Sequence, residues 1–236
     1  MSIALPISET FVSIQGEGKL TGTPSWFCRL SGCNLRCTWC DTPYASWEPE
    51  KVSRTIDDLV DEAVGSGVQH AVLTGGEPMM FADLVEFSRR LSSAGMHITV
   101  ETAGTLILPG LVCNLMSLSP KLANSTPHDD ARDPTGAWAK KHEERRLNVD
   151  AINELIASSR DRQLKFVVSS PDDLSEIEEL LERVDGYAPV DVMLMPEGVT
   201  VPEVDSIRWV VDACIKRGWS YCPRVHVQLF GDTRGT

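Results

Sequence analysis

The apolar positions of this chain switch repeatedly between the spacing of a strand and the spacing of a helix. Residues 9–18 alternate apolar and polar positions and then reach two glycines around a carboxylate, which predicts a short strand that enters a loop. Residues 24–31 also alternate and are rich in bulky side chains. We interpret them as the first strand that has a cysteine-rich loop at its C-terminal end. Later segments that also predict strands are residues 70–74, 98–102, 111–117, 164–169, 191–195 and 221–227.

Helical spacing follows several of these strands. Thr55 can cap a helix that ends at Gly65, and its apolar face consists of Ile56, Leu59, Val60, Ala63 and Val64. A second helix carries Leu84, Val85, Phe87 and Leu91 on its apolar positions. Residues 174–184 and 204–217 are amphipathic and predict two more helices. This alternation predicts a parallel sheet with helical returns on its outside.

The predicted fold is therefore an α/β fold, a single-domain, incomplete parallel β/α barrel with a shortened helical layer. A closed barrel of eight strands typically takes about 250 residues, whereas this chain has 236 residues and six or seven strand candidates. Residues 121–146 are the exception to the alternation, because they are charged and lack apolar periodicity. We predict that this charged insertion is a loop in place of a crossover helix, either a lid or solvated surface.

Composition narrows the class of function. The net charge of −12 argues against a nucleic-acid partner, whose binding usually needs a basic face. No segment approaches the roughly 20 apolar residues of a membrane span, and residues 1–6 lack the pattern of a secretory signal. We therefore expect a cytoplasmic protein with a small-molecule substrate and no membrane partner. In a reducing compartment, the thiols expected to stay free and without chemistry are Cys28, Cys113, Cys214 and Cys222.

The remaining cysteines, Cys33, Cys37 and Cys40, lie within eight residues of each other and follow the predicted strand 24–31. Their short spacing lets a turning backbone bring three sulfurs to one metal centre. Three thiolates are one fewer than a closed zinc site or a fully ligated iron–sulfur cluster uses, so one position stays open for a substrate or cofactor. The alternatives are buried structural thiols or part of a zinc site.

Other candidate site residues lie where predicted strands end. Gly75 and Gly76 precede Glu77 and Pro78, so backbone without side-chain bulk, followed by a carboxylate, stands where a ligand can approach closely. Residues 101–104 and 119–121 also end strands. Each of these segments can be an ordinary turn, or can contact the ribose or carboxylate of a cofactor.

The cysteine loop and the segment 75–78 together resemble the radical S-adenosylmethionine (SAM) enzymes. In that superfamily three cysteines hold a 4Fe–4S cluster, and the amino and carboxylate groups of SAM chelate the fourth iron. A Gly-Gly-Glu-Pro motif about forty residues after the cysteines receives the SAM amino group. The resemblance implies that Cys33, Cys37 and Cys40 hold the cluster.

The chain resembles one family within this superfamily over nearly its whole length. Residues 11–18 look like the opening of 7-carboxy-7-deazaguanine synthases, and residues 224–226, Phe230 and residues 234–236 match their ending. The resemblance implies conversion of 6-carboxy-5,6,7,8-tetrahydropterin to 7-carboxy-7-deazaguanine with loss of ammonia, in 7-deazapurine biosynthesis of the queuosine type. In that mechanism a 5′-deoxyadenosyl radical takes hydrogen from C6, the substrate radical rearranges, and SAM is regenerated.

The same resemblance implies roles for single residues. Residues expected to line the SAM site are Trp39, Cys40, Asp41, Gly76, Glu77, Ser119, Pro120 and Lys121. Residues expected to face the pterin are Ile14, Gln15, Gly16, Arg29 and Thr74. Arg29 suits the pterin carboxylate because a guanidinium donates two parallel hydrogen bonds, and Thr42 corresponds to a Mg²⁺ ligand. The carboxylate of Thr236 is expected to accept hydrogen bonds from the pterin's two-donor edge.

Partners are implied by the family as well: an external electron donor of the flavodoxin or ferredoxin type, and a second copy of the chain in a homodimer. Two other classes of function stay open on the sequence. One is an activase of the same superfamily that makes a glycyl radical on another protein. The other is a non-enzymatic zinc or iron–sulfur binding module, which leaves residues 75–78 without a role.

Overall fold

The computed structural model describes residues 3–236, and the strands within this range form one mixed sheet. Its strands are β1 (Ala4–Ile14), β2 (Pro24–Leu30), β3 (Val52–Thr55), β4 (His70–Gly75), β5 (His97–Thr102), β6 (Leu115–Leu118), β7 (Asp161–Val168), β8 (Val192–Pro196) and β9 (Ser220–Tyr221). They lie in the order β3-β1-β2-β4-β5-β6-β7-β8-β9. β1 pairs antiparallel with β2 and β3, and every other neighbouring pair is parallel.

Helices return the chain between most of the parallel strands. They are α1 (Ile56–Gly65), α2 (Leu84–Ser93), α3 (Ala137–Arg145), α4 (Val149–Ser158), α5 (Asp173–Leu181), α6 (Val204–Arg217) and α7 (Val225–Phe230). The main core packs apolar residues of α1, α2, α4, α5 and α6 against one face of the sheet. Within residues 3–236, no helix combines the length and the apolar composition that crossing a bilayer requires.

The prediction of an open, incomplete parallel sheet with outer helices is confirmed. The sheet ends at β3 on one side and at β9 on the other, so it does not close. Residues 103–114, between β5 and β6, contain no helix, which shortens the helical layer as predicted. The predicted cap of α1 is also present, because the Thr55 side chain accepts a hydrogen bond from the Asp58 amide at 3.1 Å.

Several predicted boundaries are wrong. β3 was missed because it is a four-residue edge strand without apolar alternation, and β6 begins at Leu115 rather than at residue 111. Residues 221–227 are not a strand, since β9 ends at Tyr221 and α7 begins at Val225. Pro223 lacks the amide hydrogen that a continuing strand would need.

The prediction for residues 121–146 is wrong as well. α3 lies inside this segment and α4 follows it, so two helices connect β6 to β7. The sequence did not predict α3 because this helix has no apolar face. Its first turn is held instead by the buried Asp133, which accepts from the amides of Trp138 and Ala139 at 2.8 Å each. The insertion is thus an ordered crossover with a charged surface.

Candidate active site

The sheet face opposite the main core lines a cleft of about 690 Å³ at the carboxyl ends of the parallel strands. This is the edge at which α/β folds bind ligands. The structure brings most of the sequence-predicted site residues together in its wall: Ile14, Gln15, Gly16, Arg29, Cys33, Cys37, Trp39, Cys40, Asp41, Thr42, Thr74, Gly76, Ser119, Lys121 and Thr236. Glu77 and Pro120 are the exceptions, because both are buried behind the wall.

The cluster loop, residues 32–42, leaves β2 and presents its three thiols to this cleft. Cys37 is buried, and Cys33 and Cys40 are partly exposed. The Leu35 amide donates to Cys33 Sγ at 3.4 Å, and Ser46 Oγ lies 3.1 Å from Cys40 Sγ. Burial raises the pKa of Cys33 to about 12 and that of Cys37 further. Three thiols from one short loop that face the same cleft are a donor set that fits an iron–sulfur cluster with one iron left open.

The outer side of the cluster loop is held by a stacked guanidinium. Arg36 donates to the carbonyl oxygens of Cys33 at 2.8 Å and Leu35 at 2.7 Å. Its guanidinium carbon lies 4.0 Å from the ring centroid of Trp138 on α3 and 6.0 Å from that of Trp47. A cation between aromatic faces and carbonyl oxygens is well stabilised, so the loop backbone is fixed from outside.

His142 on α3 provides a second support and is fully buried. Its Nδ1 accepts from the Arg36 amide at 3.1 Å, and its Nε2 lies 2.9 Å from Ser125 Oγ. Because the amide can only donate, Nδ1 is the acceptor and Nε2 carries the proton. Burial lowers the pKa of His142 to about 4, which keeps the ring neutral near pH 7. The charged insertion therefore supports the cluster loop.

Replacing His142 with Leu is expected to destabilise the fold and to speed loss of bound iron. The change leaves the buried Arg36 amide without its acceptor, at a cost of about 1–3 kcal/mol. The free energy of unfolding and the rate of iron release to a chelator measure both effects. His142→Asn is the matched control, because an Asn Oδ1 can replace Nδ1 as acceptor. Equal iron retention by the wild type and the Leu variant would contradict this role.

Gly75 and Gly76 allow close contact between the end of β4 and the backbone that follows β2. A Cβ at Gly75 would lie 2.2 Å from the Leu30 carbonyl oxygen, and one at Gly76 would lie 2.2 Å from the Gly32 oxygen. Gly75 also has a φ of 140°, which side chains rarely allow. These glycines let β4 approach the start of the cluster loop, and the Glu77 amide donates to Gly32 O at 2.9 Å.

The Glu77 side chain joins the ends of β4 and β5 behind the cleft. The Thr102 hydroxyl lies 2.8 and 2.9 Å from the two carboxylate oxygens of Glu77 and donates to them. The Glu77 carboxylate also accepts from the amides of Ala103 at 2.9 Å and Met79 at 3.1 Å. Burial raises its pKa. These contacts join the ends of β4 and β5, so the Glu77 carboxylate positions the wall of the cleft from behind.

An ionic network that the sequence analysis missed lies in the same wall. Lys165 Nζ on β7 lies 2.5 Å from Glu17 Oε2 and 3.2 Å from Glu101 Oε2. Gln15 Nε2 donates to Glu101 at 3.4 Å. Burial acts against both charges, but the opposite charges prevail and hold the pKa of Glu17 far below, and that of Lys165 far above, its usual value. The sequence did carry a signal, since Lys165 is the one charged residue within the predicted strand 164–169.

The C-terminal segment, residues 222–236, packs across this network. Arg224 donates to Glu17 at 3.1 Å and to Asp41 in the cluster loop at 2.5 Å. The Val225 amide donates to Gly16 O at 2.9 Å, and a Cβ at Gly16 would lie 2.0 Å from the His226 ring. The glycine at position 16 is therefore required by the approach of the C-terminal segment. Arg224 and His226 were not among the predicted site residues.

Three further predicted site residues, Lys121, Arg29 and Thr42, lie next to other predicted site residues in the cleft wall. Lys121 Nζ donates to the backbone and hydroxyl oxygens of Ser119 at 2.7 and 2.8 Å and lies 5.9 Å from the ring centroid of Trp39. Arg29 on β2 is the register partner of Thr74 on β4, so the two predicted substrate contacts are neighbours. Thr42 Oγ1 lies 3.8 Å from Cys40 Sγ, next to the thiols.

Several known proteins are similar to this chain in sequence and in structure. The family model of the Radical SAM superfamily matches residues 29–184. A 7-carboxy-7-deazaguanine synthase of Rhodopirellula baltica is 52% identical over 234 residues, which cover 99% of this chain and 89% of the relative. One of Halobacterium salinarum is 46% identical and covers 99% of this chain and 93% of the relative. The crystal structure of QueE from Escherichia coli matches with a TM-score of 0.69 and 26% identity, covering 94% of this chain and 95% of that chain.

Proposed function

The chain belongs to the radical SAM superfamily and, within it, to the 7-carboxy-7-deazaguanine synthases, and from this premise we propose the reaction that its cleft carries out. The protein converts 6-carboxy-5,6,7,8-tetrahydropterin to 7-carboxy-7-deazaguanine by a radical ring contraction with loss of ammonia. The observation that carries this proposal is that one cleft holds both the three thiols and a polar wall of Arg29, Lys165 and the two acidic partners of Lys165.

Cys33, Cys37 and Cys40 would hold a 4Fe–4S cluster, with SAM beside it. Bound there, the two supply the one-electron chemistry that removes a hydrogen atom from C6 of the pterin. The protein chain itself contributes by holding the thiols in position. Arg36 and His142 keep the thiols in place from outside.

The SAM site would be formed by the loops that follow β2, β4 and β6. Gly76 and Ser119 offer backbone or hydroxyl groups to the polar parts of SAM, and the Trp39 ring offers an apolar face. Lys121 is held by Ser119, so its charge stays near the site. Asp41 and Cys40 complete this wall, while Glu77 and Pro120 support it from behind.

The pterin site would use residues of β1, β2 and the C-terminal segment. Arg29 suits the carboxylate, with Thr74 as its neighbour. Ile14, Gln15 and Gly16 would lie against the ring, and Thr236 lies in the wall where a carboxylate can accept from the pterin's two-donor edge. The ionic network of Glu17, Glu101 and Lys165 gives this part of the cleft fixed charges that suit a polar heterocycle.

We further propose that Mg²⁺ binds between the Thr42 hydroxyl and the substrate carboxylate. Mg²⁺ prefers oxygen ligands and keeps several waters, so one protein hydroxyl is enough. Thr42 lies in the cleft wall beside the thiols, with its Oγ1 3.8 Å from Cys40 Sγ. Removing Mg²⁺ is expected to depress turnover while iron and sulfide contents stay unchanged. Full turnover in rigorously Mg²⁺-free buffer would contradict this role.

The remaining parts of the proposal concern partners and location. An electron donor of the flavodoxin or ferredoxin type would reduce the cluster, and the protein would act as a homodimer, as the family resemblance implies. Its proposed location is the cytoplasm, as expected from the sequence.

Metal analysis and SAM cleavage after anaerobic purification separate this function from its alternatives. The proposal predicts iron with acid-labile sulfide, and ammonia release that requires the carboxylated pterin. A protein that binds only zinc and holds no labile sulfide would contradict any radical SAM function. SAM cleavage that is indifferent to the pterin would favour the glycyl-radical activase.

A further inference from the structure

A β-bulge in β1 turns a buried carboxylate toward the substrate side of the sheet. Ile7 pairs with Leu30 and Glu9 pairs with Arg29, so β1 contains one extra residue at Ser8. Ile7 and Leu30 belong to the main core. Without the extra residue, the two-residue repeat of a strand would direct Glu9 into that core as well. The bulge instead puts Glu9 beside Arg29, on the face that lines the cleft.

Glu9 gathers three side chains from separate parts of the chain. Its Oε1 accepts from Arg29 Nε at 2.7 Å and from the Tyr44 hydroxyl at 2.9 Å, and its Oε2 accepts from Arg234 Nε at 3.0 Å. Arg234 also stacks on Tyr44, with its guanidinium carbon 3.9 Å from the ring centroid. The Glu9 side chain is only 12% exposed and is absent from the cleft wall, whereas Arg29, Tyr44 and Arg234 lie in that wall.

This contact fixes which edge of Arg29 a ligand meets. Glu9 occupies the Nε position, and among the described residues neither terminal nitrogen of Arg29 has a hydrogen-bond partner. Those two nitrogens form the end-on edge that binds a carboxylate bidentately. Burial by itself would raise the pKa of Glu9, but Arg29, together with Arg234 and Tyr44, lowers it, so the carboxylate is ionised near pH 7.

We propose that Glu9 is a positioning residue that holds the end-on edge of Arg29 toward the carboxylate of the substrate, and so makes the enzyme selective for a carboxylated pterin. The inference rests on the proposed function. It assigns to Glu9 an effect that depends on the substrate carboxylate and on Arg29, which a general role in stability would not show.

Kinetics of Glu9→Gln provide the test. The Gln side chain keeps one acceptor oxygen but loses the negative charge. Its NH₂ group can only donate, so it cannot accept a hydrogen bond from whichever of Arg29 and Arg234 it faces. With reconstituted enzyme, we expect the KM for the carboxylated pterin to rise about ten-fold, a loss of roughly 1.4 kcal/mol, and kcat to change less than the KM. The inhibition constant of a tetrahydropterin without the carboxylate, and the KM for SAM, should not change.

Two further variants isolate the route through Arg29. Glu50→Gln is the matched control, because Glu50 pairs with the same Arg234 at 3.0 Å but is not a partner of Arg29. It should leave the KM unchanged. Glu9→Gln should add nothing in an Arg29→Gln background, since two residues that act through one contact are not additive.

The outcomes separate the inference from its premise. If the wild type does not convert the carboxylated pterin, the proposed function fails and this inference fails with it. If the wild type turns over normally, an unchanged KM in Glu9→Gln overturns the role of Glu9 alone. An equal loss of affinity for pterins with and without the carboxylate, or a full further loss in the Arg29→Gln background, would also overturn it.

Discussion

Replacing Cys37 with Ala is expected to abolish both the cluster and turnover. Cys37 is the most deeply buried of the three thiols in the cleft wall, and three thiolates are already the minimum that leaves one iron open for SAM. With two thiolates the cluster lacks an anchor and should not assemble. Iron and sulfide contents after anaerobic reconstitution, together with ammonia release, measure the effect.

Cys113→Ala is the control for the loss of a thiol. Cys113 is a partly buried residue outside the cleft wall. The Cys113→Ala protein should therefore keep its full complement of iron and its normal turnover. A Cys37→Ala protein with normal iron, sulfide and product formation would show that this cysteine is not a cluster ligand.

Replacing Lys165 with Met is expected to give the largest loss of stability among the changes considered. The lysine is 5% exposed and lies between the carboxylates of Glu17 and Glu101. Its removal leaves Glu101 with no cationic partner among the described residues and Glu17 with Arg224 alone, and breaking a mostly buried ion pair typically costs about 3–5 kcal/mol. In a chain of this size such a loss lowers Tm by about 6–20 °C. Thermal and denaturant unfolding of the apoprotein measure it without any cofactor.

Lys19→Met is the matched control for this change. Lys19 also bridges two carboxylates, those of Asp161 at 2.7 Å and Asp191 at 2.8 Å, but its side chain is 25% exposed. Pairs that water can screen contribute about 0–1 kcal/mol. Similar losses in the two variants would contradict the claim that burial makes the Lys165 network important. Adding Glu101→Gln to Lys165→Met should restore part of the lost stability, because it removes the carboxylate charge that has no other cationic partner among the described residues.

The pH dependence of the Lys165 effect follows from the direction of the two pKa shifts. Glu17 has a depressed pKa, so its contribution is present above its unfolded-state pKa of about 4.3 and is lost as the pH falls below that value. Lys165 has a raised pKa, so its contribution is present below about 10.4 and is lost as the pH rises above that value. The difference in stability between wild type and variant should be largest between these limits.

Local spacing predicted the strands that carry the chemistry. Segments such as β2 and β4 are short, largely apolar runs followed by glycine or polar residues, and this pattern is independent of distant parts of the chain. The cluster loop was found for the same reason, because its three thiols lie within eight residues. The sequence was sufficient wherever one short segment determined both the structure and the chemistry.

Sites formed by distant segments could not be predicted from spacing. Glu17 and Lys165 are 148 positions apart, and only the sheet order brings them together. The β-bulge at Ser8 breaks the two-residue repeat, so the repeat assigns Glu9 to the wrong face. α3 is stabilised by contacts of His142 and Trp138 with the cluster loop rather than by an apolar face of its own. Each of these features depends on a tertiary contact.

The central claim is that one cleft holds the thiols and the carboxylated pterin together, and product analysis tests it most directly. The reconstituted protein would be incubated anaerobically with 6-carboxy-5,6,7,8-tetrahydropterin, SAM, Mg²⁺ and a strong reductant, and the mixture analysed by mass spectrometry. We predict 7-carboxy-7-deazaguanine with one ammonia released per product, and SAM recovered in excess of any cleaved. Cleaved SAM beside unchanged pterin would contradict the account.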